Sequence, residues 1–185
     1  MPPPTGPRVV RLRITLDDVT PAVWRRLLVD GDTNLATLHR IFQAALGWTD
    51  SHLHDFTIRG QRYGTRFDDY PEEELDERGV TVLGAVGDHR RFAYEYDFGD
   101  SWVHQVVIEA VTPTATQLRF AVCLDGQNAC PPEDCGGSRG YAELLEALAD
   151  PDHEEHDEFA QWVGGAFDPE AFDLAAVNVA LQHLR

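Results

Sequence analysis

Residues 92–111 read FAYEYDFGDSWVHQVVIEAV, and apolar and polar residues alternate on both sides of the central Gly99-Asp100 pair. A period of two places successive side chains on opposite faces of a β-strand. Glycine and aspartate are typical of tight turns, because glycine adopts conformations closed to other residues and aspartate bonds to nearby amides. The stretch therefore predicts a β-hairpin with strands over 92–98 and 101–111.

Two further strands and a helix are predicted before this hairpin. Residues 10–16 alternate between apolar and polar side chains, and the AVWRRLLV stretch that follows Pro21 is rich in apolar residues. Both patterns favour short strands. Over 34–46 the apolar residues recur at helical spacing, which predicts a helix with Thr33 as its N-cap and Gly47 as its C-terminal stop.

Helical patterns dominate the last third of the chain, with helices expected at about 141–149, 152–163 and 174–184. Strands that mostly precede helices favour an α+β fold. We expect a largely antiparallel β-sheet packed by an N-terminal helix and a C-terminal group of helices. We also expect a disordered lead-in over residues 1–7 and a single domain over 8–185.

The composition describes a protein that needs no covalent or metal support to fold. Its 185 residues are 43% hydrophobic, which suffices for one apolar core. Three cysteines do not pair fully within one chain, so thiols are expected. No apolar stretch has the length of a signal peptide or a membrane span, and these features together predict a cytoplasmic protein that does not bind membranes.

The net charge bears on the class of partner. The chain carries a formal net charge of −17 at pH 7 and contains no lysine. Nucleic acids attract clustered basic side chains, so a DNA or RNA partner is disfavoured. A basic strip is expected only in the N-terminal third, from Arg11, Arg13, Arg25 and Arg26.

His52 and His54 are the best candidate metal ligands by spacing. Residues 51–58 alternate, and an H-x-H spacing on a strand aims both imidazoles at the same side. A metal would need a further ligand from another strand, and His104 of the hairpin is one candidate. The alternative is structural, since both histidines could simply hydrogen-bond to a neighbouring turn.

Asp97 and Asp100 are the other candidates from the hairpin. They bracket Gly99 at the predicted turn, where each carboxylate could fix the turn by accepting from local amides. Close to the two histidines they could instead bind a divalent ion or serve as acid and base. Trp102 is expected in the core.

A dense stretch at residues 129–141 reads ACPPEDCGGSRGY. Zinc sites commonly separate paired cysteines by two to four residues and use four ligands. Cys123, Cys130 and Cys135 are separated by six and four residues, and a fourth ligand would have to be a distant histidine. The zinc signal is therefore weak.

The glycines of this stretch precede a predicted helix, whose first amides could bind an anion with help from Arg139. Glu133 and Asp134 would repel phosphate, and no lysine follows the glycines. A shaped corner accounts for the prolines and glycines, with Ser138 capping the helix. Glu133 and Asp134 are left to pin the turn or to face a cleft.

Three other features have simple structural interpretations. The acidic residues 68–77 predict an exposed loop. His153 and His156 lie among acidic residues and predict a solvated helix face. Phe159 and Trp162 are expected to anchor that helix to the core.

Five blocks carry a resemblance to a known family: PAVWRRLLV, LHRIFQAALGW with DSHLHDF, YEYDFGDSWVH, ACPPEDCGGSRGY and WVGGAFDPEAFDLAAVN. In this order they resemble the plasmid pRiA4b ORF-three-like family, from about residue 9 to residue 178. The resemblance implies an α+β domain carried by bacterial plasmids, chromosomes and transposon passenger genes. It assigns neither an activity nor site residues.

Three functional hypotheses follow. Since no complete nucleophile, cofactor or nucleotide motif is present, the leading one is a cytoplasmic accessory domain of a mobile element that binds a protein or a small ligand. The second is a metal-dependent enzyme, such as a hydrolase, that uses the histidines with the hairpin acids. The third is a DNA-associated factor. Whether the protein is an enzyme stays open, as does its oligomeric state.

Overall fold

The computed structural model describes residues 6–65 and 75–184. The strands in this part of the chain are β1 Arg8–Leu16, β2 Trp24–Asp30, β3 His54–Ile58, β4 Gln61–Gly64, β5 Leu75–Asp76, β6 Arg91–Tyr96, β7 Trp102–Pro113 and β8 Val122–Gln127. The helices are α1 Leu35–Leu46, α2 Val82–Val86, α3 Gly137–Ala149, α4 His156–Trp162 and α5 Leu174–His183, and Glu77–Gly79 form a short 3₁₀ helix.

All eight strands belong to one sheet, in the order β5-β4-β3-β6-β7-β1-β2-β8. Every pairing is antiparallel except β4 with β5, which is parallel. Helices are concentrated at the C-terminal end of the chain, so the fold is α+β with a mostly antiparallel sheet. Helix α1 follows β1 and β2 along the chain.

The hairpin is the centre of the sheet. Strands β6 and β7 pair in the register that sets Tyr94 opposite His104 and Tyr96 opposite Trp102, and all four side chains are buried. Trp102 lies in the core, as predicted. Phe98 does not share the buried face of the two tyrosines, because it lies in the turn and is 44% exposed.

Helix α1 lies against the same face of the sheet. Phe42 contacts Phe56 of β3 and Tyr94 of β6, with ring centroids 6.3 and 5.1 Å apart. The helix ends at Gly47, which has a φ of 90°, as the sequence predicted. Its N-cap is Asn34 rather than Thr33, because the Asn34 side chain accepts the Thr37 amide at 2.8 Å.

The C-terminal helices depart from the sequence in three details. Helix α4 begins only at His156, so His153 precedes it and the two histidines do not share a helix face. Ser138 does not cap α3, since this helix already begins at Gly137, after Gly136. Trp162 does not anchor α4, because its exposed fraction is 47%. Phe159 is partly buried and packs against the core.

Two boundary predictions were also wrong. The predicted strand over 51–58 begins only at His54, so His52 precedes it. Of the predicted acidic loop over 68–77, residues 68–74 lie outside the described residues, whereas Glu77 is only 4% exposed. Most of the predicted lead-in, residues 1–5, likewise lies outside the described part. Within the described residues, no helix is both long and apolar enough to cross a membrane.

His104, one of the candidate metal ligands, is enclosed by the core. Its side chain has no exposed surface, and its Nδ1 hydrogen-bonds to the Tyr94 carbonyl at 3.2 Å. Burial lowers the pKa of His104 to about 4, since the charged imidazolium would lose its hydration. His104 is therefore neutral at pH 7 and remote from solvent.

This burial predicts a pH dependence of stability. Between pH 6.5 and about 4 the unfolded chain binds a proton at His104 that the folded chain does not, so the free energy of unfolding falls as the pH falls. The shift corresponds to about 3 kcal/mol. His104→Asn keeps a donor for the Tyr94 carbonyl but does not titrate, so its unfolding free energy should fall less steeply. Urea denaturation at pH 4.5, 5.5 and 6.5 measures the slopes.

His89→Gln is the matched control, because His89 is an exposed histidine. It should keep the wild-type slope. Equal slopes for wild type and His104→Asn would show that His104 titrates alike in both states, which would contradict its burial as a neutral group.

Candidate functional site

Three segments that are distant in sequence meet at the turn end of the β6–β7 hairpin: residues 47–53 after α1, the turn itself at 97–101, and the corner at 130–137. Trp48 Nε1 donates to the Pro131 carbonyl at 2.9 Å, and its ring stacks on Tyr96 with centroids 5.0 Å apart. Each of the three segments lies in one of the distinctive blocks of the sequence.

Glu133 holds the corner against the other segments. Its carboxylate accepts hydrogen bonds from the Tyr96 hydroxyl and from the Thr49 hydroxyl. The Tyr96 hydroxyl in turn accepts the Ser51 amide at 2.9 Å. Burial, followed by the bond to Glu133, raises the pKa of Tyr96 above its ordinary range, so the phenol stays a donor. Glu133 is thus a structural residue of the corner.

The two hairpin aspartates have different partners. Asp97 adopts a left-handed conformation with a φ of 56°, and its Oδ1 accepts the Gly99 amide at 2.9 Å. Asp100 turns to the corner, where its Oδ2 accepts the Gly136 amide at 3.1 Å. Asp97 therefore keeps its second oxygen for another partner, and Asp100 fastens the corner to the hairpin.

His52, Asp97 and Asp134 form a compact group that we call the corner cluster. His52 Nε2 lies 3.1 Å from Asp134 Oδ1 and 3.6 Å from Asp97 Oδ2. One ligand atom from each residue lies within 4.8 Å of the others. His52 Nε2 is buried and has no hydrogen bond of acceptable geometry among the described residues. The arrangement brings a nitrogen and two oxygens to one point.

His54 belongs to a second group, the stacked cluster, which consists of His39, Asp50, His54 and Glu77. The His39 and His54 rings are parallel within 2°, with centroids 3.4 Å apart. His39 Nε2 lies 2.7 Å from Asp50 Oδ1, and His54 Nε2 lies 2.8 Å from Glu77 Oε2. Both are ordinary hydrogen-bond distances. Each imidazole therefore has its own carboxylate.

The proton positions in the stacked cluster follow from Tyr94. Its hydroxyl accepts from Gln43 Nε2 at 3.0 Å and lies 2.8 Å from His39 Nδ1. Burial raises the pKa of Tyr94, so the phenol donates to Nδ1 and leaves Nε2–H to donate to Asp50. Burial and the neighbouring His54 lower the pKa of His39 to about 4, which keeps this imidazole neutral.

The two clusters differ in their suitability for a metal. An imidazole presents its lone pair in the plane of its ring, so two parallel stacked rings do not aim both lone pairs at one ion. In the stacked cluster both ring nitrogens of His39 and the Nε2 of His54 already take part in hydrogen bonds. The corner cluster contains a single imidazole, that of His52, and its two carboxylates come from two other segments. The corner cluster is the better candidate metal centre.

A cavity of about 310 Å³ lies at the stacked cluster and reaches one residue of the corner cluster, His52. Its walls include all four residues of the stacked cluster, together with Arg40, Thr65 and His52. His52 therefore belongs to the corner cluster and also lines this cavity. A small polar ligand in the cavity would lie beside the corner cluster.

The structure separates the predicted site residues. His52, Asp97 and Asp134 come together, whereas His54 is in the stacked cluster and His104 is in the core. Arg139 is exposed on α3 and pairs with Glu143 at 2.9 Å. Sequence reasoning missed three residues of the stacked cluster: His39, Asp50 and Glu77. The helical spacing of His39 with the apolar residues of α1 was a usable signal for its burial.

The cysteines do not form a metal site in the described residues. All three are free thiols, and neither group of potential metal ligands there contains one. Burial raises the pKa of Cys130 and Cys135 to about 12, so both thiols are protonated at neutral pH. The corner is therefore a shaped turn that contributes a carboxylate.

The arginines proposed for DNA binding are largely engaged within the fold. Arg25 is 3% exposed, and its guanidinium donates to the carbonyls of Trp24, Ala45, Gln127 and Asn128. Arg11 and Arg26 both pair with Glu109, at 3.1 and 2.9 Å. Arg25 is not available to a phosphate, and the strip is partly neutralised.

The sheet order and the converging segments place the protein among α+β domains. The chain belongs to the plasmid pRiA4b ORF-3-like protein family, which it matches over residues 8–176. It is 42% identical to the uncharacterized protein y4hQ of Sinorhizobium fredii over 179 residues, which cover 95% of this chain and 92% of that protein.

A solved structure supports the same fold. The crystal structure of a protein of unknown function from Methanosarcina mazei Go1 matches with a TM-score of 0.84 at 33% identity, covering 92% of this chain and 98% of the other. The resemblance noted in the sequence is thus confirmed at the level of family and fold. The family name refers to a plasmid, and neither relative's name states an activity.

The contact between corner and hairpin predicts the effect of a single methyl group. Gly137 has a φ of 70°, and a Cβ there would lie 2.6 Å from the Asp100 carbonyl oxygen. Gly137→Ala should therefore lower the free energy of unfolding by about 2–4 kcal/mol, from backbone strain and overlap together. Urea denaturation measures the change.

Gly164→Ala separates the two causes. Gly164 has a φ of 82° but no atom within 4 Å of its Cβ position, so only the backbone strain of about 1 kcal/mol should appear. Equal losses in the two variants would show that the corner does not press on the hairpin.

Proposed function

We propose that the domain binds a divalent transition-metal ion in the corner cluster and a small ligand in the adjoining cavity. The observation that carries the proposal is the meeting of His52 Nε2 with the Asp97 and Asp134 carboxylates, 3.6 and 3.1 Å away. Three segments of the chain each supply one of these groups.

The distances fit an ion held between the three groups. Ligands about 2.0 Å from a tetrahedral zinc ion lie about 3.3 Å from one another. The two separations from His52 Nε2 fall on either side of this value. A dication would also neutralise two carboxylates that stand close together in a protein with a net charge of −17.

One nitrogen and two oxygen ligands leave at least one coordination position open. Zinc and manganese accept such mixed sets, and a position left for water is the mark of a catalytic rather than a purely structural site. A bound ion would lower the pKa of that water to about 7 and supply a hydroxide. A metal-dependent hydrolase is therefore the second candidate function, and it uses the same three residues.

The cellular compartment and the biological context of the domain are part of the same proposal. We infer a cytoplasmic accessory domain associated with mobile elements, with support from the plasmid in the family name and from three cysteines that are free thiols. A DNA-associated role has the least support, because Arg25 is buried and Arg26 is paired with Glu109.

Metal stoichiometry tests the primary proposal. Protein stripped with chelator and then dialysed against zinc or manganese should retain about one ion per chain, measured by plasma mass spectrometry. His52→Gln and Asp97→Asn should each lose it, because two remaining ligands hold such an ion weakly. At a hundredfold excess over Kd, the metal should also stabilise the wild type by about 2.7 kcal/mol.

His89→Gln is the control, as it removes an exposed histidine outside both clusters. It should bind as the wild type does. Retention of one ion by both His52→Gln and Asp97→Asn, with their folds intact, would refute a metal centre in the corner cluster. Hydrolysis is tested separately with p-nitrophenyl acetate, whose cleavage should require the metal and stop in Asp97→Asn.

A further inference from the structure

A second pocket also has Asp134 in its wall. It has a volume of about 430 Å³ and lies between the corner and α4. Its walls are formed by Asp134, Cys135, Glu158, Phe159, Gln161 and Trp162. A volume of this size is within the range of small-ligand sites. The pocket shares only Asp134 with the corner cluster.

Trp162 is the unexpected part of this wall. Phe159, one turn earlier, packs against the core, whereas the Trp162 side chain remains 47% exposed. Trp48 and Trp102 are both buried in the core. A large indole face kept in contact with solvent at the edge of a cavity is available to a ligand.

The charge of the pocket selects the ligand. Asp134 and Glu158 supply two carboxylates, and none of the residues that form the walls is basic. An anion such as phosphate would be repelled by both carboxylates. A cation would be attracted by both and also by the face of Trp162, since tryptophan provides the strongest cation–π surface of the protein side chains.

We propose that this pocket binds an alkylammonium group, held over the Trp162 ring with Asp134 and Glu158 beside it. Cation–π contact and a nearby carboxylate together recognise the charge and the apolar substituents of such a group. The amine is either a free small molecule or a lysine side chain of a partner peptide. A second copy of this chain does not supply such a side chain, because the sequence contains no lysine.

The first probe is tetramethylammonium, with tert-butanol as an uncharged molecule of similar size. Both are titrated at constant ionic strength into chelator-treated full-length protein, and binding is measured by calorimetry. The wild type should bind tetramethylammonium and show at least tenfold weaker binding of tert-butanol, because only the cation gains from the ring and the carboxylates.

Variants assign the binding to this pocket. Trp162→Ala should abolish it, Trp162→Phe should weaken it, and Glu158→Gln should weaken it several-fold. Glu154→Gln removes an exposed acid of the same segment outside the pocket walls and should bind as the wild type. Equal affinity for tert-butanol would overturn the proposal. So would wild-type affinity in Trp162→Ala, or equal weakening in Glu154→Gln and Glu158→Gln.

Two further ligands distinguish the sources of the amine. Putrescine represents a free amine and a blocked Gly-Lys-Gly peptide represents a partner, and the tighter of the two identifies the source. The test is separable from the metal proposal, because His52→Gln should still bind tetramethylammonium and Trp162→Ala should still bind metal. If the wild-type protein binds only the metal, the alkylammonium proposal fails. If it binds only tetramethylammonium, the metal proposal fails.

Discussion

The hydroxyl groups of Tyr94 and Tyr96 make the hydrogen bonds that connect the covered face of the sheet to α1, to the segment after α1 and to the corner. The period of two along β6 sends both phenols to the same side, where burial keeps each one protonated. Tyr94 then orients His39 of α1, and Tyr96 binds Glu133 of the corner. One strand thus positions both clusters, which explains why residues that are distant in sequence meet beside it.

The two clusters use similar residue types for different purposes. In the stacked cluster the imidazoles are shielded and parallel, and the Nε2 of each ring already bonds to its own carboxylate. In the corner cluster His52 Nε2 has carboxylates on two sides and no satisfactory hydrogen bond among the described residues. Histidine and aspartate near each other therefore do not define a metal centre by themselves. Ring orientation and the distances between ligand atoms make the distinction.

Local patterns in the sequence predicted most of the fold. Alternation located β6 and β7, and helical spacing with Gly47 located α1, because these signals depend only on neighbours along the chain. The start of β3 was missed, and with it the separation of His52 from His54, since alternation does not show where pairing to another strand begins. Glu77 was missed because its partner His54 is brought to it only by the folded sheet. His52 and Asp97 were found because both are titratable residues in distinctive blocks.

Strand β2 depends on a late part of the chain for its second neighbour. Its outer edge is paired by β8, and the Arg25 guanidinium needs the carbonyls of Gln127 and Asn128. During synthesis, about a hundred further residues emerge after β2 before β8 is available. Until then one edge of β2 is unpaired, and the Arg25 guanidinium lacks half of its carbonyl partners. Free strand edges recruit other chains. The interval before β8 arrives is accordingly a stage at which the nascent protein is exposed to misassociation.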